Sequence, residues 1–183
     1  HGAGTGARTP DLELLAAGID GFAMVRMEQP WVLAGRQIAP AAHLLDEAWS
    51  EVLNKRNTWL PAPAAALPLI VGGRSAGARV ACRTAIALNA VGVLGLAFPL
   101  HAPKKKNRRR DGELDEVLAA QIPLHVIQGE KDGFGTPDEF VGVDLTVIPG
   151  RGHELLRAKT DEHCSLLMES ATRFLHQVIP NRK

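Results

Sequence analysis

Residues 67–88 read LPLIVGGRSAGARVACRTAIAL, and the fold turns on what this stretch means. Its first part is an apolar run with the length of a buried strand, and its last part has the composition of a helix. Between them, Gly73-Arg74-Ser75-Ala76-Gly77 spells G-x-S-x-G at a strand-to-helix turn. So sharp a turn needs small residues two positions either side of the serine. It lifts the Ser75 hydroxyl to the C-terminal edge of a sheet. It also aims the Ala76 N–H, at a helix N-terminus, toward any oxyanion forming there. Accident explains the pattern poorly. The serines are Ser50, Ser75, Ser165 and Ser170, and glycine fills 18 of 183 positions, so roughly 0.04 chance matches are expected. The competing reading is a glycine-rich turn with an idle serine.

Outward from the turn, short apolar runs alternate with amphipathic stretches, the pattern of an α/β protein. Strands are expected at 22–27, 67–72, 91–97, 123–128 and 143–148, and helices at 10–17, 40–55, 76–88, 113–120 and 162–178. Three of the strands are nearly continuous apolar runs, as parallel strands buried on both faces should be. The expected architecture is a mostly parallel central sheet with helices on both faces, one domain over residues 1–183. Helix 40–55 would turn Leu44, Leu45, Ala48, Trp49 and Val52 inward. Segment 28–39 and the basic run described below read as loops.

A serine nucleophile needs a base in hydrogen-bond reach and an acid that orients the base. His125 lies inside an apolar strand, and His43, His163 and His176 lie on helices, so a packing role is their default. His153 differs, because it follows the last strand in Pro149-Gly150-Arg151-Gly152-His153. A glycine loop at a strand's C-terminal end is where an open α/β sheet builds its site. Asp132, in Gly129-Glu130-Lys131-Asp132, stands at the same edge after strand 123–128, with Glu130 the second choice of acid and Asp138 the third.

The chain opens His1-Gly2-Ala3-Gly4-Thr5-Gly6. Glycines let backbone amides approach a substrate, so Ala3 (or Gly4) would supply a second oxyanion N–H. The same residues resemble a dinucleotide fingerprint, with Glu28 as the ribose acid. Pro10 argues against that reading. The fingerprint's helix would start near Gly4 and bury a proline at a cost of about 3 kcal/mol. If the helix starts at Pro10 instead, no conflict arises.

Together HGAG, GGRSAGAR, AFPLH, QGEKDGFGTP and PGRGH resemble the α/β-hydrolase superfamily over nearly the whole chain. Within it they resemble a compact group near the dienelactone hydrolases, and a hydrolase-like domain in a subunit of an animal chromatin-acetylating complex. The chain order Ser75, Asp132, His153 is also that of the superfamily. The resemblance implies Ser75 as nucleophile, Asp132 as acid, His153 as base, and Ala3 and Ala76 as oxyanion donors. It further implies a strand before the HG loop, so the sheet's N-terminal strand or strands are expected to be missing from this chain.

Composition narrows the function classes. The chain is 45% hydrophobic and 22% charged, a globular balance, and a net charge of +1 gives no global pull toward DNA or membranes. Cys82 and Cys164 match no metal spacing and make no disulfide framework, which suits a reducing cytoplasm. No apolar run is long enough for a membrane span. The local extreme is Lys104-Lys105-Lys106-Asn107-Arg108-Arg109-Arg110, within a basic loop 102–112 expected to be solvated and mobile. It carries no aromatics for base stacking, so nucleic acid is not an expected partner. Too few residues separate strands 91–97 and 123–128 for a folded cap domain, so the site should be open, lined by Phe98, Leu100, His101 and Phe134.

The expected function is a serine hydrolase cleaving carboxylic ester or thioester bonds of a small substrate (an esterase), with no cofactor and no metal. The competing class is a non-catalytic interaction module that contacts a partner through the basic loop.

Overall fold

The computed structural model describes residues 1–2, 8–36, 38–102, 107–158 and 162–180. In chain order its main elements are α1 (Pro10–Ala17), α2 (Pro30–Leu33), α3 (Ala42–Asn54), α4 (Ala62–Ala65), β1 (Ile70–Arg74), α5 (Ala76–Thr84), β2 (Gly92–Leu96), α6 (Asp111–Ala119), β3 (Leu124–Gly129), β4 (Asp144–Ile148) and α7 (Cys164–Val178). The four strands form one parallel sheet in the order β1-β2-β3-β4. Because the strands are parallel, their C-terminal ends share one edge.

Alternation along the strands sends side chains to two cores. Val71, Val93 and Val126 pack with Ala78, Ala81, Leu114 and Val117 beneath α5 and α6. Leu94, Leu96 and Ile127 pack with Leu15, Leu167, Ala171 and Phe174 beneath α1 and α7. Every residue of β2 and β3 is buried, which is why both read as nearly continuous apolar runs, β3 broken only by His125 and Gln128. Among the described residues the β2–β3 connection carries one helix, α6, which packs on α5 and β3.

Three sequence expectations change. Residues 22–27 are not a strand: among the described residues β1 pairs only with β2, and nothing forms a ladder with this segment. It instead borders a groove of about 270 Å³ beside β1, lined with Phe22, Met24, Met27, Trp49, Leu69 and Val71 among others. Segment 28–39 is not all loop, since α2 forms there and buries Trp31 against Leu45 and Val80. The inward stripe of α3 is rotated from the one expected: Leu45 and Leu53 are buried, whereas Leu44 and Val52 face solvent. This helix packs chiefly on α5, with Trp49 and Leu53 in its C-terminal half reaching the core that holds Val71 of β1.

Candidate active site

The turn after β1 has the geometry its glycines imply. Ser75 sits between β1 and α5 with φ 54° and ψ −115°, a backbone conformation costing a non-glycine residue about 1–3 kcal/mol. A Cβ on Gly73 would lie 2.4 Å from the Gly77 carbonyl carbon, and one on Gly77 would lie 2.6 Å from the His1 nitrogen. Both contacts are with backbone, so neither can be relieved by a rotamer change. The Ser75 N–H donates to the Leu96 carbonyl (2.9 Å), tying the turn to β2. Ala76 starts α5, so its N–H is among the donors a helix cannot satisfy internally.

Ser75, His153 and Asp132 come together. Ser75 Oγ is 2.9 Å from His153 Nε2, and His153 Nδ1 is 2.8 Å from Asp132 Oδ2. They follow β1, β4 and β3 respectively, at the common C-terminal edge. Ser75 and His153 are half-buried, whereas Asp132 is fully buried. A buried carboxylate needs donors in place of water. Asp132 receives them from the Gln128 amide at Oδ2 (2.9 Å) and the Phe134 N–H at Oδ1 (2.8 Å).

The other acids are occupied elsewhere. Glu130 Oε2 accepts the Gly150 N–H (2.6 Å), bracing the loop that carries His153, and Asp138 is exposed on the Pro137–Glu139 turn. α1 begins at Pro10 after an extended Thr9, in line with the reading that Pro10 opens this helix. Ala3 and Lys104–Lys106 lie outside the described residues.

The expected substrate lining needs correction. Phe98 and Leu100 are completely buried in the core under α5 and α6, and His101 is buried with its Nε2 3.2 Å from both oxygens of Glu139. The chain turns inward after β2, so this apolar segment serves the core. Phe134 alone of the four is partly exposed, with its ring 4.4 Å from the His153 imidazole. The basic run is less free than its charge suggests. Arg109 bonds Asp111 and Glu139, and Arg110 donates to the Pro99 carbonyl.

The Arg109–Glu139–His101 cluster yields a pH prediction. Burial works against the charge of Glu139, but the Thr136 backbone N–H, Arg109 and His101 outweigh it and hold the carboxyl down at about 2. A carboxyl depressed on folding contributes stability that is complete above its ordinary value near 4.5 and is lost as pH falls toward about 2. Acid titration of chemical stability should therefore show a smaller loss over that window in Glu139→Gln than in the parent. Equal losses would show that this cluster contributes nothing.

A second Ser–His–Asp array lies at the opposite end of the sheet. His125 Nδ1 is 2.7 Å from Asp144 Oδ2, its Nε2 is 2.8 Å from Ser170 Oγ, and Ser170 Oγ is 2.8 Å from Thr146 Oγ1. Burial pushes the His125 imidazole below its ordinary value despite Asp144. His125 and Ser170 are each 1% exposed, and Ser170 sits inside α7 with no turn to present it. A substrate cannot reach that hydroxyl, so the array acts as a polar strut fastening α7 to β3 and β4. Cys82 is equally unavailable, since burial pushes its thiol up to about 12. Among the described residues no three His, Cys, Asp or Glu side chains cluster as a metal site would require, and no helix is long and apolar enough to cross a membrane.

Sequence reasoning overlooked Gln128, Arg74, Asp11 and Gly129. Gln128 carried a signal, as a polar residue closing a strand buried on both faces. Arg74 Nε donates to Asp11 Oδ2 (2.9 Å) and its Nη2 to the His153 carbonyl (2.8 Å), contacts that no spacing rule anticipates.

Comparison with known proteins agrees with this fold. A family model described as an alpha/beta hydrolase domain matches residues 1–175. An alpha-beta serine hydrolase homologue from Coxiella burnetii superposes with a TM-score of 0.68 at 17% identity, covering 91% of this chain and 78% of that one. A lidless α/β serine hydrolase from Xanthomonas campestris gives 0.58 at 16% identity, covering 97% and 77%. The mouse alpha/beta hydrolase domain-containing protein 10 gives 0.61 at 15% identity, covering 97% and 88%. No curated protein matches the chain.

Proposed function

Since the chain belongs to the α/β-hydrolase family, we propose that it is a serine hydrolase cleaving carboxylic ester or thioester bonds of a small substrate. The observation that carries this reading is the continuous chain from Ser75 Oγ through His153 to the buried Asp132, mounted on the strained turn at the sheet edge. In the first half-reaction Ser75 Oγ attacks the carbonyl carbon while His153 Nε2 takes the hydroxyl proton. The tetrahedral oxyanion is stabilised by the Ala76 N–H and, on the resemblance drawn from the HG loop, by that of Ala3. The tetrahedral intermediate then collapses: the bond from the acyl carbon to the leaving oxygen or sulfur breaks, His153 gives that group its proton, and an acyl–Ser75 ester remains. In the second half, water gives a proton to His153 and its oxygen attacks the acyl carbon. Ser75 leaves with that proton, and the acid is released. Throughout, Asp132 accepts the Nδ1–H and keeps Nε2 aimed at the serine.

The alternative, an interaction module docking through the basic loop, draws less support, because Arg109 and Arg110 are already engaged within the chain. A fluorophosphonate probe separates the two. It should modify Ser75 in the parent, leave Ser170 untouched, and fail to label Ser75→Ala. A folded parent that resists the probe would sink the hydrolase reading.

A further inference from the structure

Arg74, the residue before the serine, does something the G-x-S-x-G turn does not require. It ends β1, and its side chain crosses to the face carrying α1, where its Nε bonds Asp11 Oδ2 at 2.9 Å. Side-chain exposure is 9% for Arg74 and 2% for Asp11. Asp11 is fixed in turn, because its Oδ1 accepts the Thr9 hydroxyl and the Leu12 N–H (2.8 Å) in the first turn of α1. The free arm of the guanidinium, Nη2, donates to the backbone carbonyl of His153 at 2.8 Å. Three elements therefore meet at one side chain: the strand that ends at Ser75, the helix α1, and the loop that carries the base.

Stability alone is a weak reason for such a pair. Withdrawing two charges from water costs about as much as their attraction returns, and apolar replacements often do as well. Position is the stronger reason. His153 lies on a loop, and its imidazole is held at Nδ1 by Asp132 and meets at Nε2 the serine it must serve. Hydrogen bonds to a ring leave the main chain beneath it free to shift. The Arg74 bond to the His153 carbonyl holds that main chain, and it is anchored on the residue adjacent to Ser75. Nucleophile and base are thus referenced to the same strand end.

We infer that Arg74 and Asp11 form a positioning pair that sets the distance from Ser75 Oγ to His153 Nε2 through the His153 main chain. This inference rests on the serine-hydrolase reading above. Arginine is required because a planar guanidinium can bond a carboxylate and a carbonyl in two directions at once, whereas a lysine ammonium is a point charge on a flexible stem.

The test compares Arg74→Lys, Asp11→Asn and the double variant Arg74→Met/Asp11→Leu, which removes both buried charges together. Turnover of a small neutral nitrophenyl ester gives kcat and KM, and proton NMR follows the downfield Nδ1–H of His153. The expected result is a folded double variant whose kcat falls roughly ten- to hundredfold with KM unchanged, the cost of a base misplaced by about 1 Å. Its Nδ1–H resonance should broaden or shift, and Arg74→Lys should fall between the double variant and the parent. If the double variant does not fold, the two single substitutions carry the same comparison. Folded variants with parental kcat and a parental Nδ1–H resonance would overturn the inference. A parent that neither turns over esters nor takes the probe would instead overturn the hydrolase reading, while the Nδ1–H signal would still report whether Arg74 holds His153 in place.

Discussion

Ser75→Ala and His153→Ala should each lower ester hydrolysis by roughly four to six orders of magnitude, and the double substitution should be little worse than either. The non-additivity is the informative part. A serine hydroxyl at neutral pH is a poor nucleophile until the imidazole removes its proton, so losing either partner disables the same step. Independent roles would instead multiply the two losses. Asp132→Asn should cost less than losing Ser75 but still a large factor, because Asp132 fixes which imidazole nitrogen faces the serine. Folding should survive the Ser75 and His153 changes, since both side chains are half-buried at a loop-lined edge. Asp132→Asn is a harsher change. Asp132 accepts from His153, Gln128 and the Phe134 N–H, and an asparagine amide would point two donors into that set. Steady-state kinetics and thermal melts on the same preparations separate lost chemistry from lost structure. A well-folded Ser75→Ala protein with parental turnover would refute the mechanism.

Gly129→Ala should be nearly as damaging to activity, although Gly129 contributes no side chain. A Cβ there would lie 2.1 Å from the Gly152 carbonyl oxygen and 2.7 Å from that of Arg151. These are backbone atoms of the loop that delivers His153. The two loops are also stitched together by Lys131 N–H to Arg151 O (2.7 Å), Glu130 N–H to Ile148 O (3.0 Å) and Gly150 N–H to Glu130 Oε2 (2.6 Å). Relief of the clash must therefore push the His153 loop away from Asp132 as a unit. The expected outcome is about 1–3 kcal/mol lost in denaturant unfolding, as for other overpacked interiors, with kcat down by roughly a hundredfold. Gly133→Ala is the matched control, because a Cβ there meets nothing within 4 Å and should change stability by less than about 0.5 kcal/mol. Two variants that behave alike would mean that the crossing at Gly129 has no special consequence.

The sequence by itself determined four of the strands, the five longer helices, and the three residues that meet at the sheet edge. Each of these leaves a local trace. A strand buried on both faces must be largely apolar, as 91–97 is and as 123–128 is but for His125 and Gln128, whose side chains are hydrogen-bonded. A turn that presents a nucleophile must have glycines where Cβ atoms would strike backbone, as Gly73 and Gly77 show. Loops at strand ends must carry the polar groups, as Asp132 and His153 do. Tertiary structure alone decided the rest, because it depends on partners remote in the chain. Residues 22–27 have a strand's composition but no ladder neighbour among the described residues, and pairing is a property of two segments. Phe98 and Leu100 look equally suited to a pocket wall or a core, and the path of the chain after β2 put them in the core. Among the described residues two Ser–His–Asp arrays exist, and the burial of His125 and Ser170, with Ser170 inside a helix rather than on a turn, separates the strut from the reactive candidate. The hold of Arg74 on Asp11 and His153 spans α1, β1 and the loop after β4, so its physical basis, two directed hydrogen bonds from one buried guanidinium, exists only once those three are folded together.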